Sequence, residues 1–175
     1  GAMPLAVLGR ALRKGLTRIR ARPARRFELP NRVLVGTHHK TGTYWLEAIF
    51  RDVAARHGLR FFFGEQPELP ARWDVFFQNH SRFDLAALPT GDPRPVRGVH
   101  LSSDPRDVIV SGCFYHQVSD ERWLLEPSPW LDGRSYREAI TALSDPGDRL
   151  MFELEHTGRV TLEEMLAWPY GRPGF

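Results

Sequence analysis

The stretch RVLVGTHHKTGTYWLEAIF, residues 32–50, decides how this chain folds. Its opening, Arg32 to Thr37, is a short β-branched run broken by Gly36, the composition of a parallel strand buried on both faces. Its continuation sets Trp45, Leu46, Ile49, Phe50 and then Val53 on one helical face, with Gly58 as the stop. Between the two lies the turn GTHHKTGTYW, residues 36–45. A helix N-terminus offers unpaired N–H groups and the positive end of its dipole, so a turn carrying Lys40, Gly42 and Thr43 into a helix is a ready anion site. The same turn also fits a plain strand-to-helix connection, small and polar for steric reasons. The nucleoside-triphosphate pattern wants glycine directly before lysine. Here the order is Lys40-Thr41-Gly42-Thr43, and no apolar strand ending in aspartate accompanies it.

Downstream, LRFFFG (59–64), VFFQNH (75–80) and VRGVHLS (96–102) read as further strands, the first also compatible with a loop. SDPRDVIVSGCFYH then opens a second strand-turn-helix unit, with Ser103 or Asp104 as N-cap, Pro105 at the first helical position and Asp107 in the first turn. Ser135 and Glu138 form a capping box, and residues 148–168 are a helical tail interrupted near Gly158. Strands alternating with helices predict a central parallel β-sheet flanked by helices, with ligands beyond the carboxyl ends of the strands.

With 175 residues, 42% hydrophobic and 26% charged, the chain suits one α/β domain with a single sizeable core. Residues 1–26 carry Arg10, Arg13, Lys14, Arg18, Arg20, Arg22, Arg25 and Arg26 and no acid, so the net charge of +3 hides an acidic body. That distribution argues against a nucleic-acid-binding body. The division is therefore a basic leader over 1–27, whose first three residues read as a cloning remnant, and a domain over 28–175. In the leader, Leu5, Leu8, Leu12, Leu16 and Ile19 recur at helical spacing. This fits contact of residues 4–26 with an anionic membrane surface or acidic partner, and equally a helix packed on its own domain. No apolar run approaches the roughly 20 residues of a membrane span. The single Cys113 excludes an internal disulfide framework and fits the cytoplasm, with peripheral attachment as an option.

Taken together, THHKTGTYWLEAIF resembles the 5′-phosphosulfate loop of the sulfotransferases, typically PKxGTTWL, and HLSSDPRDVIVSG resembles that family's 3′-phosphate segment, typically RxPRDxxVS. The resemblance runs from about residue 31 to the end of the chain. It implies a P-loop nucleotide-kinase-like fold and 3′-phosphoadenosine 5′-phosphosulfate (PAPS) as donor, with the bisphosphate PAP as product and no metal. On it, Lys40 touches the oxygen bridging sulfate and phosphate. Thr41, Gly42, Thr43 and Trp45 cradle the 5′-phosphate and pack near the adenine, and Ser111 binds the 3′-phosphate. Tyr44 stands where the family has a second threonine, and Ser103 where it has a phosphate-pairing arginine. The resemblance implies a further Gly-x-x-Gly-x-Trp-Lys-like closing segment that residues 1–175 do not contain, so the expectation is a truncated or incomplete polypeptide, a minimal relative that binds without turnover, or a site completed by another copy.

Sulfuryl transfer to a hydroxyl acceptor needs a base and a cation. Among the histidines, His80, at a strand end between the two motifs, matches the family base. A His38–His39 metal pair lacks companion ligands, leaving one of the two to line the crevice and the other to face out. His100 reads as a core residue and His116 as an acceptor contact. The segments LRFFFG, FYH and DERWLLEPSPW supply aromatics for an acceptor pocket that suits a lipid, sugar or phenol. Two other classes stay open: a PAPS- or PAP-binding regulatory relative with little catalysis, and, against the Lys/Gly order, a P-loop kinase.

Overall fold

The structure, a computed structural model, describes residues 27–167. The leader's expected helix lies outside the described residues. Four strands, β1 (Arg32–Gly36), β2 (Phe61–Phe63), β3 (Val75–Gln78) and β4 (Val96–His100), form one sheet in the order β2-β3-β1-β4. Every pairing is parallel, with Gly36 opposite Gln78 on one side and His100 on the other. The sheet is flanked by helices, as expected of an α/β chain.

Strand burial follows from position in the sheet. β1 and β3 are interior and almost wholly buried, whereas edge strand β4 exposes Arg97, Gly98 and Val99. Side chains alternate across the sheet. Leu34 and Phe76 join Leu69, Trp73, Phe83 and Leu88 on one face. On the other, Val35, Val75 and Phe77 receive Leu46 and Phe50 of α1 (Thr43–His57). That helix ends at Gly58, whose φ of 65° is the left-handed stop anticipated above. Its expected apolar face is only half used: Trp45, Ile49 and Val53 remain 65%, 40% and 42% exposed. The small sheet covers only the part of the stripe around Leu46 and Phe50.

After β4, α2 (Pro105–His116) starts with Asp104 accepting from the Arg106 N–H, and Arg106 pairs back onto Asp104 at the surface. A short helix α3 (Arg122–Leu125) follows, then α4 (Tyr136–Ala142) behind the Ser135–Glu138 capping box. The tail is α5 (Pro146–Glu153), a π-helical turn over Leu154–Gly158, and α6 (Arg159–Leu166). A second apolar core of Cys113, Leu124, Leu131, Tyr136, Ala139 and Ile140 joins these helices. The expected interruption near Gly158 is a π-helical turn through which the helix continues, Gly158 itself being helical at φ −60° and ψ −45°; a Cβ there would collide with Ile109 of α2 and sit 2.8 Å from the Glu153 carbonyl.

At the amino ends of the strands, Asp74 accepts from the Arg60 N–H and guanidinium at 2.8–2.9 Å and pairs with Arg94 at 2.8 Å. Charge pairing thus locks the end of the sheet opposite the candidate site. Among the described residues, no helix is long and apolar enough to cross a membrane.

Candidate functional site

The carboxyl ends of β1, β3 and β4 converge on one crevice. The chain leaving β1 turns toward β2 and β3, while the chain leaving β3 crosses to β4 on the other side, so the winding reverses at β1. Such a reversal opens a crevice at the strand ends. Beyond Gly36, Thr37 continues the ladder by donating its N–H to Gln78, the Leu101 N–H reaches Gly36, and Ser81 Oγ donates to the Thr37 carbonyl.

The loop itself is tightly wound. Thr41 and Thr43 both donate their hydroxyls to the His38 carbonyl, Thr41 Oγ1 accepts the His38 N–H, and Thr37 and Thr43 hydroxyls meet at 2.8 Å. These hydroxyls hold the shape of the turn. Lys40 and Gly42 have φ of 62° and 95°. For lysine that conformation costs on the order of 1–2 kcal/mol, strain of the kind that collects at functional sites. Residues that pass through the left-handed region turn backbone N–H groups to one side as a concave anion seat. Helix α1 begins there without a side-chain cap.

Lys40 Nζ sits 3.7 Å from the centre of the Tyr115 ring. Burial pulls its pKa down, opposed by Glu121 and Glu153. Glu121 gathers the surroundings: Tyr115 and Tyr44 donate hydroxyls to its Oε1 at 2.7 and 3.3 Å, and Trp123 donates its indole N–H to Oε2 at 2.8 Å. Burial alone would raise the Glu121 pKa, but these donors hold it low. Tyr44, where the resemblance expects threonine, thereby ties the loop to the segment after α2. Trp45 points out from α1. Ser103 lies half-buried in the β4–α2 turn, and Ser111 is exposed on α2.

The histidines differ from expectation. His38 and His39 both turn inward: His38 is fully buried with Nε2 2.7 Å from His100 Nε2, and His39 Nε2 lies 2.8 Å from His116 Nε2. Neither faces out, because the tight turn aims one at β4 and the other at α2. His100 is a half-buried strand-end residue and no core residue; burial and neighbouring His38 push its pKa down to about 4. His116 is completely buried against Glu153 at 2.7 Å, so it contacts no acceptor directly.

His80 stands at the end of β3 with its side chain 38% exposed, its Nδ1 3.1 Å from Glu164 Oε2 of α6. Glu164 also receives Arg82 on its other oxygen. Burial would raise the Glu164 pKa, but His38, His80 and Arg82 beside it hold it far below the carboxylate range. An ionised Glu164 fixes the hydrogen of His80 on Nδ1 and leaves the Nε2 lone pair basic, as in a histidine–carboxylate dyad. Charges on Lys40 and His80 both disfavour a proton on His39.

Glu153, Glu164 and Tyr136 carried no signal of a site in the sequence, and Tyr115 and Glu121 entered only within the segments FYH and DERWLLEPSPW, without the roles they have here. Beside the crevice a groove of about 380 Å³ is lined by Trp123, Trp130, Tyr136 and His156. The segment DERWLLEPSPW thus reaches a cavity, whereas LRFFFG does not: Phe61, Phe62 and Phe63 pack on Phe76 and Phe77 at the far sheet edge. No group of three or more metal-ligating side chains occurs among the described residues. Compared with family models, curated proteins and solved structures, the chain matches none.

Proposed function

We propose that this chain is a sulfotransferase that moves the sulfuryl group of PAPS to a hydroxyl acceptor by in-line displacement. The observation that carries this reading is the adjacency of two strand-turn-helix units on neighbouring parallel strands β1 and β4, with a histidine–carboxylate dyad at the end of β3. The donor would supply a sulfonate activated by its phosphate anhydride. Its 5′ side fits the concave, uncapped turn from Lys40 to Trp45. Its 3′ side fits less fully, since Ser103 and Ser111 offer hydroxyls while Arg106 is tied to Asp104.

In this reading His80 Nε2 takes the acceptor proton, and Glu164 orients the ring and balances its charge. Lys40 and the N–H groups of the turn stabilise the negative charge left on the departing phosphate oxygen. The groove at Trp123 and Trp130 supports an acceptor that presents a flat ring face for stacking.

A second reading, a nucleotide-binding relative with little turnover, draws support from Arg106 being paired with Asp104 in place of facing the 3′ side. Calorimetry with PAP tests both: binding that Lys40→Ala abolishes is expected, and a wild type that does not bind ends both readings. Transfer of labelled sulfate from PAPS to phenols, sugars and lipids then separates them, since PAP binding without transfer leaves the second.

A further inference from the structure

Behind the loop runs a buried chain of groups that the proposed transfer does not use. Glu153 is 1% exposed, and its Oε2 accepts from Tyr136 at 3.0 Å and pairs with His116 Nδ1 at 2.7 Å. His116, 0% exposed, meets His39 through the two Nε2 atoms at 2.8 Å. The chain makes room for the carboxylate: a Cβ on Gly112 would stand 2.6 Å from Glu153 Oε1. Trp123 covers the His116 ring edge-on, with centroids 5.1 Å apart. Burying a carboxyl group this deeply is expensive, and an apolar residue would often serve packing as well.

The chain of groups ends at His39 Nδ1, which makes no hydrogen bond among the described residues and is not sealed from solvent. Around this imidazole stand Lys40 of the loop, His80 at the end of β3, His116 and Tyr115 of α2, and Glu121 and Trp123 beyond it. Burial first, then His116 and Lys40, push its pKa down to about 3, with Glu121 opposing. A positive charge on His39 is therefore disfavoured, but a proton need not stay there. One residue deeper, His116 faces the Glu153 carboxylate.

We propose that His39 is a second proton acceptor of this crevice, with His116 and Glu153 as the positioning residues that take its charge inward. The source of the proton rests on the transfer reading. On this alternative route, as the acceptor oxygen bonds to sulfur and the bridging oxygen leaves with the electron pair, the one hydroxyl proton goes to His39 Nδ1 in place of His80 Nε2. The hydrogen on His39 Nε2 passes to His116 Nε2, and the resulting imidazolium lies 2.7 Å from the Glu153 carboxyl. His39 ends neutral, with its hydrogen moved from Nε2 to Nδ1.

The test uses the full chain without donor: diethyl pyrocarbonate labelling, mapped by mass spectrometry, beside histidine ¹⁵N NMR. Labelling of His39 at pH 5 is expected within about twofold of its rate at pH 7, whereas an imidazole of ordinary pKa loses roughly 25-fold over that interval. NMR is expected to find His39 neutral at pH 5, with hydrogen on Nε2. Glu153→Gln, its fold checked by circular dichroism, should slow His39 labelling on the order of tenfold. A His39 rate that falls in parallel with free N-acetylhistidine overturns the proposal on the wild type alone, and an unchanged rate in folded Glu153→Gln overturns the relay. A protein without sulfuryl transfer would defeat the function above and leave this titration intact, so the two fail separately.

Discussion

His80 Nδ1 and Glu164 Oε2 lie 3.1 Å apart although 84 residues separate them in the chain. The contact joins the end of β3 to α6 and gives a lone strand-end histidine a carboxylate partner. Glu164→Gln should lower the rate of transfer by on the order of 10² if His80 is the base. Because the folded Glu164 pKa lies below its unfolded value of 4.5, its contribution to stability is present above that value and fades as the pH falls through the folded pKa. The melting difference between wild type and Glu164→Gln should thus shrink between pH 6 and about pH 3. A difference that stays constant with pH would remove the electrostatic account of this pair.

Ser103 occupies the position at which the resemblance expects an arginine. Ser103→Arg places a guanidinium in the β4–α2 turn, and a charge-assisted contact exceeds a neutral one by about 1 kcal/mol. PAP should then bind roughly fivefold tighter by calorimetry, with the gain reduced at high salt. Unaltered affinity would mean that the 3′-phosphate does not lie there.

Asp74 is held by Arg60 and Arg94 at the far end of the sheet, with its side chain 8% exposed. Burial would raise its pKa, but hydrogen bonds from Arg60 and then Arg94 hold it well below the ordinary value of 3.8. Asp74→Asn should cost about 2 kcal/mol at neutral pH, between the surface and buried limits because Arg60 is partly solvated. The loss appears in urea titrations at pH 7 and narrows below pH 3.8, where the wild-type carboxylate begins to give up its advantage. No change in the urea midpoint would show that water replaces the pair at no cost.

Gly112→Ala forces a methyl group toward Glu153 Oε1, which would lie only 2.6 Å away. The buried carboxylate is fixed by His116 and Tyr136, so the clash is expected to cost about 1–3 kcal/mol. Ordinarily alanine stabilises a helix interior by roughly 0.5–1 kcal/mol over glycine. Chemical denaturation distinguishes the two, and a stabilised variant would mean that Glu153 moves freely.

The four strands, their order along the chain and the main helices between them could be read from residue pattern alone, whereas the short helix Arg122–Leu125 could not. β1, the turn, α1 and the Gly58 stop were legible in residues 32–58, as was the Ser135–Glu138 cap, while Asp104 is the one of two candidate caps that the structure uses. These depend on groups a few residues apart, where backbone geometry fixes which atoms can meet. The loop was likewise legible as a strand-to-helix turn, and His80 as a strand-end histidine.

The partners of the site residues came from packing across the chain. His38 meets His100 across 62 residues, and His39 meets His116 across 77. Glu121, Glu153 and Glu164 read as ordinary helix or loop acids until packing brings them to Tyr115, His116 and His80. Periodicity marks which face of a helix is buried, but which groups share that burial depends on strand order and helix docking. Desolvation then turns those distant pairings into the electrostatics of the crevice.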